Sequence, residues 1–382
     1  MSKILAYAEI RKIIEDNYAH RLSFNKATHD IYLDGKLYER SRFREMVFQD
    51  FGKEIANDKY IDELMYLYAT KHPFHVIEDY LNSCKMKYPD VDYHQVFRYL
   101  NKEVLHIDPD SLEALYLPKT LAAMVKRIYE PGCQHDTVLV LQGGQGFYKT
   151  SFFRELAGHD NFTSVTFHNF NTDEKMVCHS KWIIELGEVE GTLQHSKLAK
   201  LKAFITTQTD SFRKPYAPQP IDIRRRFVLV GTTNQEKFLR DATGNRRFWV
   251  IPINQKIDIE WVKQNRDEIW AAAIQAYLDG YCTYLNETEQ QLSDSINAQK
   301  YFEEDVWAEP VTSWVMAQTE PFILSDVLTH VLKKEPGAWK RTDEVRVQAI
   351  LKSLGYEIPQ QSTRYKSKIN KWYHPLNTKA VA

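Results

Sequence analysis

An α/β fold with a largely parallel central sheet is the architecture the sequence predicts, and three observations predict it. Apolar strand-like runs recur through the middle of the chain: DTVLVLQ from Asp136, KWIIEL from Lys181, RRFVLVGTTN from Arg225 and FWVIPI from Phe248. Helix-like stretches such as TSFFRELAG and HSKLAKLKAFITTQ separate them, and strands that alternate with helices are joined by crossovers that make neighbours parallel. The first strand runs directly into a glycine-rich turn and then a helix closed by Gly158.

The chain of 382 residues exceeds what one core usually organises. Residues 1–110 are polar and aromatic, with helix-like stretches YIDELMYLYATK and HPFHVIEDYLNS, and predict a mainly helical accessory domain. SLEALYLPKTLAAMVKRIYEPG stops at Pro131-Gly132 and feeds the first strand, so the core is expected over 111–285, ending with a long helix closed by Gly280. Residues 286–382 read as two short helices followed by TRYKSKINKWYHP, and predict a small winged-helix-like domain.

Composition narrows the function classes. No apolar run is long enough to span a membrane, and the start, MSKILAYAEIRKIIEDNYAHR, is charged throughout, so a cytoplasmic protein is expected. Cys84, Cys133, Cys178 and Cys282 lie far apart with no zinc-ligand spacing. The net charge of -1 excludes a histone-like basic coat, so any nucleic-acid contact must be local.

The chemistry concentrates in four elements. Gly143, Gly144, Gln145, Gly146, Phe147, Tyr148, Lys149 and Thr150, followed by Ser151, have P-loop spacing. Backbone N–H groups of such a loop point at phosphates, its lysine neutralises the β- and γ-phosphates, and its threonine ligates Mg²⁺. Tyr148 departs from the pattern, which has glycine there, and its side chain is large enough to crowd a nucleotide. The second element, WIIELGE, delivers two carboxylates at a strand end: Glu185 is assigned to metal support and Glu188 to water activation, with the two roles exchangeable. Solvated loop glutamates are the bland alternative.

The third element, FVLVGTTN, ends a buried strand in Asn234, a sensor candidate that contacts a γ-phosphate or the attacking water; a turn-forming asparagine is the plain reading. The fourth, DATGNRRFW, presents Arg246 and Arg247, either of which suits an arginine finger supplied across a subunit boundary; a structural ion pair with Asp241 weighs equally.

These four elements, carried by GGQGFYKTSFF, WIIELGE, LKAFITTQTDSFRKPYA, RRRFVLVGTTN and FLRDATGNRRFWVIP, resemble the virulence-associated protein E family over roughly residues 115 to 255. The resemblance implies a P-loop AAA+-like core, kin to superfamily 3 replicative helicases encoded by phages, satellites and genomic islands. It further implies ATP and Mg²⁺ as cofactors, a homo-oligomeric ring, a hexamer above all, acting on DNA, and a separate primase as partner. In ring helicases of this type a loop before the sensor strand tracks DNA, which makes Arg213, Lys214 and Tyr216 of the basic-aromatic turn the nucleic-acid candidates. Packing of that turn against the core is the competing reading. The tail residues Arg364, Tyr365, Lys366, Lys368, Lys371, Trp372 and Tyr373 form a second basic-aromatic stretch suited to duplex DNA, whereas Lys197, Lys200 and Lys202 are expected on a solvated helix face. The function expected is an ATP-dependent DNA helicase or translocase. Its rivals are a catalytically weak DNA-binding factor and an ATPase switch acting on a protein.

Overall fold

The computed structural model describes residues 5–55, 58–187, 189–193, 195–213, 220–240, 244–303, 305–318, 320, 322–357 and 371–372. Helix α1 (Tyr7–Asn17), strands β1 (Leu22–Asn25), β2 (Asp30–Leu33) and β3 (Lys36–Leu37), helices α2 (Arg40–Phe51) and α3 (Asp58–Ala69), and strand β4 (Pro73–Phe74) form the first unit. Its sheet has the order β3-β2-β1-β4 and packs on the helices through Ile10, Ile14, Phe43, Val47, Ile61 and Leu64. Residues 1–110 hold more helix than strand, and this small sheet is an element that the expectation did not include. The strands are too short to show periodicity, but the Asp34-Gly35 pair between β2 and β3, with φ of 54° and 73°, is the hairpin signal that betrays them.

Helices α4 (Val76–Lys87), α5 (Tyr93–Tyr99) and α6 (Glu113–Tyr129) follow. Leu81, Cys84, Phe97, Leu117 and Leu121 from these helices share one apolar cluster with strand residues Leu139, Leu141, Val228, Val230 and Ile251, so the central core extends upstream of residue 111. Residue 111 falls within a core that the amphipathic lead-in helices build jointly with the sheet.

The central sheet begins with β5 (Val138–Gly143), which leads through the glycine-rich loop into α7 (Lys149–Ala157). There follow β6 (Phe162–Val165), α8 (Thr172–His179), β7 (Ile183–Leu186), α9 (Val189–Thr192), α10 (His195–Thr206), the hairpin β8 (Thr209–Phe212) and β9 (Ile221–Arg224), β10 (Val228–Thr233) and β11 (Phe248–Ile253). The five-stranded order is β11-β5-β10-β7-β6, parallel throughout. Both faces are covered, which is why the strands read as unbroken apolar runs. Strand β6, FTSV, carries polar residues on an edge and escaped the sequence pattern. Helix α11 (Ile259–Leu278) buries Ile269, Trp270 and Ala273 against this core, and Gly280 follows it at φ 76°.

Helix α12 (Glu287–Ile296) continues into a π-turn over Asn297–Tyr301 that packs against the central core through Tyr301. Beyond it, α13 (Ala308–Met316), the strand Phe322–Ile323, helical turns over 324–331 and the helix Arg341–Ser353 gather around Val311, Val315, Val327, Val347 and Leu351. Phe322 pairs antiparallel with Trp372. The tail residues Arg364, Tyr365, Lys366, Lys368 and Tyr373 lie outside the described residues. No helix among the described residues is long and apolar enough to cross a membrane.

The first unit is tied to the core by polar contacts around His75. Arg226 Nη1 donates to the Lys26 carbonyl at 2.6 Å, and Lys26 pairs with Glu78 at 2.7 Å. His75 caps α4 by accepting the Glu78 N–H at Nδ1, 3.2 Å away, while its ring is buried. Burial, then the charge of Arg226, push its pKa down to about 4. The folded protein therefore keeps His75 neutral while the unfolded chain protonates near pH 6.5, so this contribution is complete above about 6.5 and is lost as pH falls towards 4. Across that window the loss amounts to about 3 kcal/mol. Melting temperature is expected to fall more steeply with acidification in the native chain than in His75→Gln; parallel curves would contradict the assignment.

Candidate functional site

The chemistry-bearing residues sit at the carboxyl edge of the parallel sheet, where β5 and β10 lie side by side but send their connections to opposite sides. That crevice is where open parallel sheets place ligands. Three strand ends build it. Gly143 closes β5 so tightly against β11 that a Cβ on it would lie 2.1 Å from the Ile253 carbonyl oxygen. Phe147 folds back over Gly144, and its carbonyl accepts the Ile257 N–H at 3.3 Å, which anchors the loop.

Tyr148 occupies the left-handed region, φ 63° and ψ 24°, immediately before α7. It thus adopts the backbone conformation glycine would supply, at a cost of roughly 1–2 kcal/mol, and its side chain is 48% exposed. The phenol stands half in solvent, and the Tyr148 side chain does not cap α7.

Lys149 is buried, 7% exposed, and its Nζ donates to the Gly143 carbonyl at 2.7 Å, the Gly144 carbonyl at 2.8 Å and Asn234 Oδ1 at 2.8 Å. The adjacent Thr150 hydroxyl donates to Glu185 Oε1 at 2.7 Å, and so does the Thr232 hydroxyl at 2.7 Å. Glu185 lies within β7 and is 1% exposed, a carboxylate whose burial is compensated by two hydroxyl donors. Sequence reasoning named Lys149, Thr150, Glu185 and Asn234, and the structure brings them together. It missed Thr232. The signal needs the strand register: Val230 pairs with Glu185, so period-2 alternation puts Thr232, not Thr233, on the Glu185 face.

Arg246 and Arg247 are placed elsewhere. They form a short 3₁₀ turn at the start of β11, whose first residue, Phe248, pairs with Val138 at the start of β5. Parallel pairing therefore sets them at the amino edge of the sheet, about 20 Å from the glycine-rich loop. Arg246 is exposed and Arg247 half-buried, and neither has an ion pair among the described residues. Lys202, expected in solvent, is half-buried: burial, then the Arg247 charge, push its ammonium below its ordinary value.

Glu188, Lys214, Tyr216 and Asp241 lie outside the described residues, as does the side chain of Lys197. Arg213 is exposed at the end of β8, where the hairpin leaves the core. The hairpin base is firmly seated. Asp210 of β8 accepts from Arg225 Nε at 2.6 Å and Nη2 at 2.9 Å, with His179 Nε2 at 3.1 Å and Lys175 at 3.5 Å. Burial opposes ionisation there, but hydrogen bonds from His179 and Arg225 hold the Asp210 carboxyl well below the usual range. Arg225 also donates to the Phe204 carbonyl and lies over the Phe204 and Phe227 rings. Of the three consecutive arginines, Arg225 and Arg226 are thus structural, and Arg224 alone faces solvent.

Together these features define an α/β protein with a glycine-rich loop and a lysine–hydroxyl–carboxylate cluster at the carboxyl edge of a parallel sheet. The chain belongs to the virulence-associated protein E-like family, whose domain matches residues 81–302. This bears out the resemblance and extends it at both ends. No curated protein matches. Among solved structures, an A-form apo structure of the NrS-1 C-terminal region is 12% identical, with 96% of this chain and 99% of that chain covered and a TM-score of 0.49. Another A-form apo structure of that region is 13% identical, covering 97% and 100%, with a TM-score of 0.49. A further apo structure of it is 11% identical, covering 97% and 99%, again at 0.49.

The close approach at Gly143 generates a stability prediction. Gly143→Ala forces backbone apart at the β5–β11 junction and is expected to cost about 2 kcal/mol, in the range for overpacked sites. Thermal melting should show a fall of several degrees, and an unchanged melting temperature would contradict the contact.

Proposed function

We propose that the chain is an ATP-dependent DNA helicase or translocase module of a replication protein carried by a phage, plasmid or genomic island, built on a P-loop AAA+-like core. The observation that carries this reading is the convergence of Lys149, Thr150, Glu185, Thr232 and Asn234 above the start of α7. Residues 143–151 supply backbone N–H groups and the α7 dipole for a triphosphate. Lys149 then exchanges two loop carbonyls for phosphate oxygens.

The adjoining oxygens of Thr150 and Glu185 are the hard donors that suit Mg²⁺, and Thr232 fixes the orientation of the Glu185 carboxylate. Held by these residues, Mg²⁺ would supply positive charge against the triphosphate. Asn234 touches the lysine and so registers its movement, a sensor role at the end of β10. Glu188, two residues beyond β7, polarises water. The remoteness of Arg246 and Arg247 from the cluster favours their supply to a neighbouring subunit's site, as a hexameric ring provides. Arg213, with Lys214 and Tyr216 of the same basic-aromatic stretch, grips DNA phosphates and a base. A separate primase completes the replication machinery in this reading, and the protein works in the bacterial cytoplasm.

One observation favours a second reading. Tyr148 stands where a glycine is expected, which suits a DNA-binding factor with weakened catalysis. Nucleotide binding and turnover separate the two. Lys149→Ala should lose both, with binding weakened at least about tenfold for the loss of a charged hydrogen-bond donor, whereas Glu188→Gln should keep binding and lose turnover. Unchanged turnover in both variants would remove the site assignment; native binding without turnover would select the second reading.

A further inference from the structure

The turn bearing Arg246 and Arg247 is held by one buried amide. Asn297, 2% exposed at the first residue of the π-turn after α12, donates through Nδ2 to the Asn245 carbonyl at 3.1 Å and the Phe248 carbonyl at 2.9 Å. Those two carbonyls bracket the arginine pair in sequence. The same segment braces the rest of the approach to the turn. Phe238 and Leu239 donate their N–H groups to the Tyr301 carbonyl at 2.9 and 3.0 Å, and Glu303 donates its own to the Leu239 carbonyl at 2.8 Å. Arg240 pairs with Glu303 at 2.7 Å. Residues 297–303 therefore form a backing for 238–240 and for 245–248, while Arg246 itself projects into solvent.

We propose that Asn297 is a positioning residue for the arginine turn, fixing the backbone on both sides of Arg246–Arg247 so that their guanidinium groups meet phosphates bound by a second copy of the chain. This rests on the reading of the arginines as supplied between subunits. The choice of residue fits the task. A primary amide carries two donors on one uncharged nitrogen, which matches two converging carbonyls. Aspartate would oppose acceptors with acceptors, and leucine would remove both donations, leaving the Asn245 carbonyl with the Phe248 N–H of its own turn. Placement of a group acting on a transition state is sensitive, since a displacement of about 1 Å costs on the order of 10²-fold in rate.

Mixed-subunit complementation with the full chain tests this. Lys149→Ala subunits cannot use nucleotide but carry an intact arginine turn. Mixed with the double variant Arg246→Ala, Arg247→Ala, they should restore ATP turnover. Asn297→Leu is expected to lower turnover on the order of 10²-fold, with affinity for a fluorescent ADP analogue within about twofold of native, and to be restored by Lys149→Ala in the same way. Should Asn297→Leu fail to fold, Glu303→Gln decides, because that side chain is partly exposed and only its ion pair is removed. It should show a smaller loss of turnover, unchanged affinity and the same restoration. Failure of the double arginine variant to be complemented overturns the intersubunit reading itself. Complementation of that variant, together with native turnover in the Asn297 variant, or the Glu303 variant where it decides, or loss of affinity without restoration, overturns the positioning role alone.

Discussion

Everything at the candidate site depends on β5 lying between β10 and β11, parallel to both and in register with each. Pairing of Leu141 with Thr232, and of Val230 with Glu185, sets three strand ends at one level, so the Thr150 and Thr232 hydroxyls meet Glu185 at 2.7 Å and the Lys149 ammonium meets Asn234 at 2.8 Å. A slip of one residue in β10 would turn Thr232 away from Glu185 and leave a buried carboxylate short of a donor. The same register sends the arginine turn to the opposite edge. One geometric fact thus separates the cluster of Lys149, Thr150, Glu185 and Thr232 from the arginine pair.

Buried charges do a second job, joining units rather than binding ligands. Asp210 and Arg225 lock the β8–β9 hairpin to α8 and α10, and Arg226 joins the first unit to the core. Breaking a buried pair of this kind leaves an uncompensated charge, so the hairpin base is expected to move only with the elements it is bonded to. Arg225 also couples the hairpin base to the sheet, because it lies between Phe204 of α10 and Phe227 at the entry to β10.

The central strands were legible because burial on both faces demands continuous apolar runs, and the glycine-rich loop, Glu185 and Asn234 were legible because each follows such a run. In the first unit the helix at YIDELMYLYATK was legible, but the sheet was not. Its sheet is made of strands of four residues or fewer, where alternation carries little information and only Asp34-Gly35 marks a turn. Thr232 was hidden by needing a register, and Asn297 by needing a contact across 52 residues of chain. The three arginines before β10 illustrate the limit most clearly. Identical side chains at consecutive positions meet a buried aspartate, a backbone carbonyl and solvent, and nothing local distinguishes them.

The proposed function requires the lysine–hydroxyl–carboxylate cluster to turn over ATP in the service of movement on DNA. ATP hydrolysis by the purified chain, measured with and without single-stranded DNA at low and moderate salt, tests it most directly. The account predicts hydrolysis that DNA stimulates markedly and that loses its stimulation as salt displaces phosphate contacts. Hydrolysis indifferent to DNA, or nucleotide binding with no hydrolysis at all, would contradict it.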